Sequence, residues 1–556
     1  MKTKLYFATL ICALGLPLFT ACSDDDEVFG APDIRQPLPR EVGVTGKVVT
    51  DAGAPLADVV VSDGINLTTT DAEGNFVLQS EMELGYIFVS TPSGYEPTVS
   101  LDGNRPCFWK QIDRLNSTDI TFTLKPIASK GPLSIVAIAD PQISNREGDV
   151  ELLKNFYVPE INKTIDALRA KGTDPIVITL GDIICDWFLA NGFGYTLDMF
   201  NKDFQVNAPV YHTMGNHDND PFTSGDFETT GLWRNFNGPT YYSFNRGGAH
   251  FIVVDNIVYT NPGASPGVSG KRSYTTALTE EQLNWIAADL ATIKDKTAPL
   301  FITMHGIFLT YPVADGQTIS KVYRFDDGGP QLGALLADFT NVKVMSGHAH
   351  KNHFQHTPEG NIREYNYAGT NGGWWPAGFK PYKANLPVCF DGAPWGMGIW
   401  DFTADAKNPT HIFKGYNLDE NEQIRVYDLN TTIIDNTDFT KAFVTGASKN
   451  NILANVWAYE PGCTVKMFEN GKELQVRRVA LPDPYLIIKY LLPIKEEYGS
   501  WNSGMDPEHT AHMFRANATT ADAPVTVEFT DLWGRKFTKV LNRPGTLLSL
   551  IHISEP

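Results

Sequence analysis

Five short polar motifs, each set directly behind an apolar run rich in β-branched residues, constrain this chain of 556 residues more than any other feature. Ile135 to Ala139 leads into Asp140-Pro141-Gln142, and Ile176 to Leu180 leads into Gly181-Asp182. Val210 to Met214 precedes Gly215-Asn216-His217-Asp218, Leu300 to Thr303 precedes Met304-His305-Gly306, and Val342 to Met345 precedes Gly347-His348-Ala349-His350. Runs this short and this apolar read as strands buried on both faces. Their C-terminal ends would then bring carboxylates, amides and imidazoles to one place, the oxygen and nitrogen donors that divalent metals take. One motif alone has a plainer reading. A Gly-Asn-His-Asp stretch makes a good turn, and a lone histidine can be a hydrogen-bonded core residue. Five in succession argue for a metal centre at the ends of strands.

Between the motifs, Asp149 to Lys171 carries Leu152, Leu153, Phe156, Ile161, Ile165 and Leu168 at helical spacing. Thr279 to Lys296 predicts a second helix, with Thr279 and Gln282 as a capping box and Leu283, Ile286, Leu290 and Ile293 facing inward. Strands alternating with helices predict an α/β core over residues 131–403.

The order and spacing of the motifs resemble the calcineurin-like metallophosphoesterases, whose pattern runs D-x-H, GD-x-x-D, GNH-D/E, a lone His, then G-H-x-H. The resemblance implies a four-layer αββα sandwich and two divalent metal ions, drawn from Mn, Fe, Zn or Mg. It places Asp140, Gln142 and His350 on the first metal, Asp182 between the two, and Asn216, His305 and His348 on the second. His217 would stand outside the metal shell, protonating the leaving oxygen or steadying the charged transition state, with Asp218 beside it in the catalytic set. A bridging ligand is best a carboxylate, which offers two charged oxygens. Two cations roughly 3.5–4 Å apart lower the pKa of a shared water and clamp phosphoryl oxygens during in-line attack.

Two positions depart from the pattern. Gln142 replaces the usual histidine, in a D-P-Q form that resembles a branch of the same family, and shifts the donor set toward harder cations such as Mn or Mg. Cys185 stands where the second Asp of GD-x-x-D is expected, with Asp186 one residue on. Asp186 is therefore expected to orient His217, as carboxylates beyond the metal shell do for imidazoles, or else to be a solvated loop acid.

Lys2 and Lys4 precede an apolar stretch from Leu5 to Phe19 that is too short to span a bilayer, so residues 1–21 predict a secretory leader. Thr20-Ala21 before Cys22 resembles a bacterial lipobox, which implies Cys22 as the lipidated first residue. Ser23 to Glu27, within an acidic and Pro-rich tether over 22–40, resembles the surface-export signal of Bacteroidetes lipoproteins, although acidic runs also serve as plain solvated tethers. The expectation is an outer-membrane lipoprotein facing outward, touching the membrane through its lipid alone. The net charge of −19 argues against a nucleic-acid groove, which needs a basic face. Cys107, Cys185, Cys389 and Cys463 are too sparse for a disulfide framework.

Residues 41–126 alternate short β-branched runs with Gly, Asp and Asn turns, predicting a β-sandwich that resembles the carboxypeptidase-regulatory-like module and reads as a spacer or docking unit. Residues 417–547 predict a second β-rich domain, with strands from Ile424, Ile452, Thr464, Val525 and Lys536 and a hairpin at Asn470-Gly471. His509 and His512 in it lack ligand partners and read as structural. Two loops after the last motif are rich in glycine and tryptophan, and their Trp374, Trp375, Asp391 and Trp395 are candidate substrate contacts, with core packing as the open alternative. The resulting expectation is hydrolysis of a phosphate mono- or diester, such as a nucleotide or sugar phosphate. The competing expectation is a decayed, lipid-anchored module that binds glycan or another ligand.

Overall fold

The computed structural model of the chain describes residues 43–102, 104–127, 131–144, 148–185, 194–260, 273–370, 388–432, 449–493, 508–545 and 547. The α/β core holds strands β1 (Leu133–Ile138), β2 (Asp174–Leu180), β3 (Val210–Thr213), β4 (Tyr242–Arg246), β5 (Ala249–Val253) and β6 (Leu300–Thr303). It continues with β7 (Val342–Ser346), β8 (His353–His356), β9 (Ile362–Asn366), β10 (Gly396–Asp401) and β11 (Thr410–Gly415). They form a five-stranded sheet in the order β3-β2-β1-β10-β11 and a six-stranded sheet in the order β4-β5-β6-β7-β9-β8. Pairing is parallel across β1, β2 and β3 and across β5, β6 and β7, so the motif-bearing ends of each set share one edge. The sheets face each other through Phe301 and Trp400, whose rings meet edge-on at 5.2 Å. At the functional edge, Thr213 and Thr303 join the sheets by a side-chain hydrogen bond of 3.0 Å.

Helix α1 (Val158–Ala170) lies on the first sheet, where Glu160 pairs with Lys414 of β11 at 2.7 Å. The stretch before it is helical from Asp149, but residues Leu153–Tyr157 form a wider π turn. Pro159 supplies the reason: it has no N–H for the i−4 bond, and the wider turn accommodates the gap. Helix α2 (Glu280–Leu290) lies on the second sheet, where Asp289 bonds His250 of β5 and Ser243 of β4. Thr279 caps it by accepting the Gln282 N–H at 3.2 Å. The capping box expected here is only half formed, because the Gln282 side chain turns to the backbone of Asp255 instead. The helix also stops at Leu290, short of Lys296.

Each flank consists of two four-stranded sheets, over Gly43–Pro126 on one side and Ile424–Leu541 on the other. The N-terminal unit is fused to the core rather than strung beside it. Its Phe88 packs on Trp285 of α2 at 6.1 Å, the Trp285 indole N–H donates to Ser62 Oγ at 3.0 Å, and Ser243 bonds Ser90 at 2.8 Å. In the C-terminal unit Asn470 and Gly471 both take positive φ, 51° and 75°, as the hairpin between Thr464–Glu469 and Lys472–Glu473 requires. The strands Val476–Arg478 and Met513–Asn517 have no clear apolar–polar alternation, so sequence periodicity does not mark them.

Candidate metal centre

Each motif leaves its strand through a sharp turn. Asp140, Gln142, Asp182, His348 and His350 all have positive φ, between 43° and 70°. Left-handed backbone at non-glycine residues costs energy and persists where surrounding bonds enforce it. Here the side chains point inward, and the glycines among them leave the room. A Cβ on Gly181, whose φ is 87°, would lie 2.5 Å from His305 Nδ1, and one on Gly215 would lie 2.3 Å from Asp182 Oδ1.

His305 is fully buried, with Nδ1 at 2.8 Å from the Leu180 carbonyl. That carbonyl can only accept, so Nδ1 carries the proton and Nε2 offers a lone pair in the neutral ring. Around Nε2 stand Asn216 Oδ1 at 3.0 Å, Asp182 Oδ2 at 3.1 Å and His348 Nδ1 at 3.1 Å. Electron-rich atoms gathered so closely repel unless a positive charge lies among them, whether a proton on Nε2 or a divalent cation in its place, and the donor types suit the cation. Gln142 donates Nε2–H to Asp182 Oδ2 at 3.0 Å, and the His217 backbone N–H donates to Asp182 Oδ1 at 2.8 Å. Asp140 accepts the His348 backbone N–H at 2.9 Å and lies 3.4 Å from His350 Nε2. All seven expected ligand side chains therefore belong to one linked cluster. The tightest part, with ligand atoms within 4.8 Å of one another, is Asp182, His305 and His348.

The electrostatics agree. Burial would raise the Asp182 carboxyl, but His305 and His217 hold it far below the usual carboxylate range. Burial opposes charge on His305, yet Asp182 lifts that imidazole to about 9. His348 is pushed down to about 4 by burial and by His305. His217 stands at the rim, half-buried. Burial disfavours its charge, but Asp182 and a hydrogen bond to the Cys185 sulfur raise it to about 10. Cys185 is thus a direct neighbour of His217, while Asp186 lies outside the described residues.

Asp218 is not placed to touch a substrate. Its Oδ1 accepts the N–H groups of Ile183 and Ile184 at 3.0 and 3.2 Å, and its Oδ2 accepts that of Gly215 at 2.8 Å. Burial, then Asp182, pushes its carboxyl up to about 8. It positions the turns that carry Asp182 and His217.

Trp395 and Asp391 are core residues as well. Trp395 is 3% exposed and packs on Tyr157 at 4.8 Å and Phe156 at 5.5 Å, which leaves no ring face for a ligand. Asp391 is fully buried and accepts the Asn352 and Ala393 N–H groups at 2.7 and 2.9 Å, with His512 Nε2 at 2.9 Å. Trp374, Trp375 and Cys22 lie outside the described residues. One aromatic side chain that does reach the site is Tyr274, whose ring meets that of His348 edge-on at 6.0 Å. Nothing in its local sequence, Ser273-Tyr274-Thr275, marks it.

Three consecutive spans match one family. Residues 133–352 match "Calcineurin-like phosphoesterase", residues 42–127 its "N terminal" and residues 364–537 its "C terminal". The chain belongs to the calcineurin-like phosphoesterase family. Metal-dependent phosphoester hydrolysis is the chemistry this membership implies, and the converging donors are a candidate site for its metal. Among solved structures it is similar to "GAP50 the anchor in the inner membrane complex of Plasmodium", at 13% identity and a TM-score of 0.32, over 52% of this chain and 85% of that one. It is also similar to a Thermus thermophilus sulfate thiohydrolase, SoxB, at 12% identity and a TM-score of 0.27, over 52% of this chain and 58% of that one. A Candida albicans 5'-nucleotidase aligns at 11% identity and a TM-score of 0.29, over 62% and 68%. No curated protein matches by sequence.

In this family member the C-terminal domain braces the candidate metal centre. His512 bonds Asp391 on one ring nitrogen and Asn455 on the other, and Asp391 holds Asn352, two residues after His350. Phe390 stacks on His350 at 5.9 Å and 8°. Replacing His512 with Ala is therefore expected to loosen metal held by Asp140 and His350, by about tenfold in affinity, the lower end for losing an outer support of a metal site. Metal content after dialysis checks this, and full retention would confine His512 to packing.

Proposed function

We propose that this chain is a binuclear-metal phosphoesterase of the cell envelope, anchored by a lipid on Cys22, that hydrolyses a phosphate mono- or diester with a ring-bearing leaving group. The observation that carries this reading is the set of lone pairs gathered on His305 Nε2 by Asp182, Asn216 and His348, continued through Asp140 and His350. Two divalent cations held there would supply an activated water and charge for the phosphoryl oxygens. Asp182 would lie between them, with Asp140, Gln142 and His350 on one side and Asn216, His305 and His348 on the other.

The remaining steps belong to the chain's own side chains. His217 stands at the rim, where its imidazolium form can pass a proton to the departing oxygen. Asp218 and the Asp182 carboxylate hold its turn in place. Tyr274 offers an aromatic wall beside His348, which suits a nucleotide or sugar phosphate over an alkyl phosphate.

The test is hydrolysis of chromogenic mono- and diesters by residues 23–556, after chelation and again with Mn, Mg, Zn or Fe restored. Turnover that vanishes on chelation and returns with metal is expected. Folded protein with no turnover under any metal or ester would sink the enzymatic reading, and globomycin-insensitive processing of the full chain would sink the lipid anchor.

A further inference from the structure

A cavity of about 120 Å³ lies where the N-terminal domain meets the catalytic core. It has room for a small organic molecule, since one water occupies about 10–15 Å³ on this measure. Tyr86 closes it from the N-terminal side, and Asp226, Asp255, Glu281, Tyr241 and Arg234 line it from the core. Its wall is continuous with the metal centre, because Asn256, next to Asp255, bonds both the N–H and the carbonyl of Gly306 at 2.9 and 2.8 Å.

The lining is short of donors. Tyr86 is only 3% exposed and lines the cavity, and no hydrogen bond of its hydroxyl is seen among the described residues. The Asp226 carboxylate accepts one backbone N–H, from Tyr259 at 2.6 Å, Asp255 accepts that of Ile257 at 3.2 Å and a bond from the Thr240 side chain, and Glu281 has one from Tyr241. The one cation in the lining, Arg234, spends its donors on the carbonyls of Leu84 and Phe227 and on Thr230 Oγ1, with its guanidinium over the Phe227 ring. Three acids thus face one base that bonds none of them. Burial, reinforced by Asp226, accordingly pushes the Asp255 carboxyl up to about 7. Asp226, Asp255 and Glu281 do not form a cluster tight enough for one metal ion; among the described residues only Asp182, His305 and His348 do. The occupant that suits this lining is extended, positively charged and rich in N–H.

We propose that this cavity binds a small organic molecule bearing a primary ammonium group, which donates to the Asp226 and Asp255 carboxylates and the Tyr86 hydroxyl and rests its carbon chain on the Tyr86 and Tyr241 rings. A quaternary ammonium would leave the same acceptors without N–H, and an anion would meet three like charges.

Calorimetric titration of residues 23–556 with ethanolamine, and with ethylene glycol as its uncharged counterpart, tests this. Saturable binding of ethanolamine and none of ethylene glycol is expected. Asp255→Asn should weaken binding on the order of tenfold or more, the scale of losing a charge-assisted hydrogen bond, with Tyr86→Phe losing less. Should Asp255→Asn fail to fold, Glu281→Gln reads the loss from an exposed position. No saturable binding, equal binding of ethylene glycol, or unchanged affinity in the folded variants would each overturn the proposal. Ethanolamine binding is read directly and should survive Asp182→Ala, so its outcome is independent of phosphoesterase activity.

Discussion

Replacing Asp182 with Ala is expected to strip the protein of both metals and bring phosphate-ester turnover down to the uncatalysed background. The side chain is fully enclosed, and each oxygen is spoken for: Oδ1 by the His217 backbone, Oδ2 by Gln142 and by His305. Removing it takes away the one carboxylate placed between the two halves of the ligand set. It also leaves the raised charge on His305 and His217 without the counter-charge that sustains it. Asp182→Asn separates the two effects, since it keeps the shape and one acceptor but not the negative charge. Elemental analysis after dialysis is the first readout, with turnover on restored metal as the second. Retention of two equivalents by Asp182→Ala would mean that this residue does not bridge.

Much of this centre was legible in the sequence because strand-end motifs are a local signal. Ile135 to Ala139 and Val342 to Met345 could only be buried strands, and the residues that follow such strands point to the same edge once the pairing is parallel. What stayed hidden was set by distant contacts. His512 is 121 positions from Asp391, and no spacing rule connects them. Tyr274 reaches His348 only because a hairpin pairs Ile257–Tyr259 with Tyr274–Thr276. Trp395 and Asp391 show the opposite error. Glycine and tryptophan in a loop suggest an open ligand surface, but here Gly396 lies where Phe413 and the Lys414 carbonyl crowd in, and the indole fills the space beside Tyr157 and Tyr416. Asp218 belongs to a motif whose other members reach the site, yet its own oxygens face backbone N–H groups. Motif membership told which turn it builds and left open which way it faces.

His217→Ala should separate chemistry from metal binding. The imidazole is outside the ring of atoms around His305 Nε2, and the His217 backbone N–H bonds Asp182. The alanine variant keeps that N–H, so both metals should stay, and the turn remains fixed by Asp218 on Gly215. What is lost is a protonated side chain held charged by Asp182 and Cys185 at the rim. Turnover is therefore expected to fall on the order of 10²–10⁴-fold, the scale of general acid help. The fall should be steepest for esters with poor leaving groups, because an alkoxide needs the proton far more than a nitrophenolate does. A matched pair of phosphate esters that differ only in leaving-group pKa reads this directly. An equal loss on both would assign His217 to charge stabilisation on the phosphoryl oxygens, and loss of metal would make it a ligand after all.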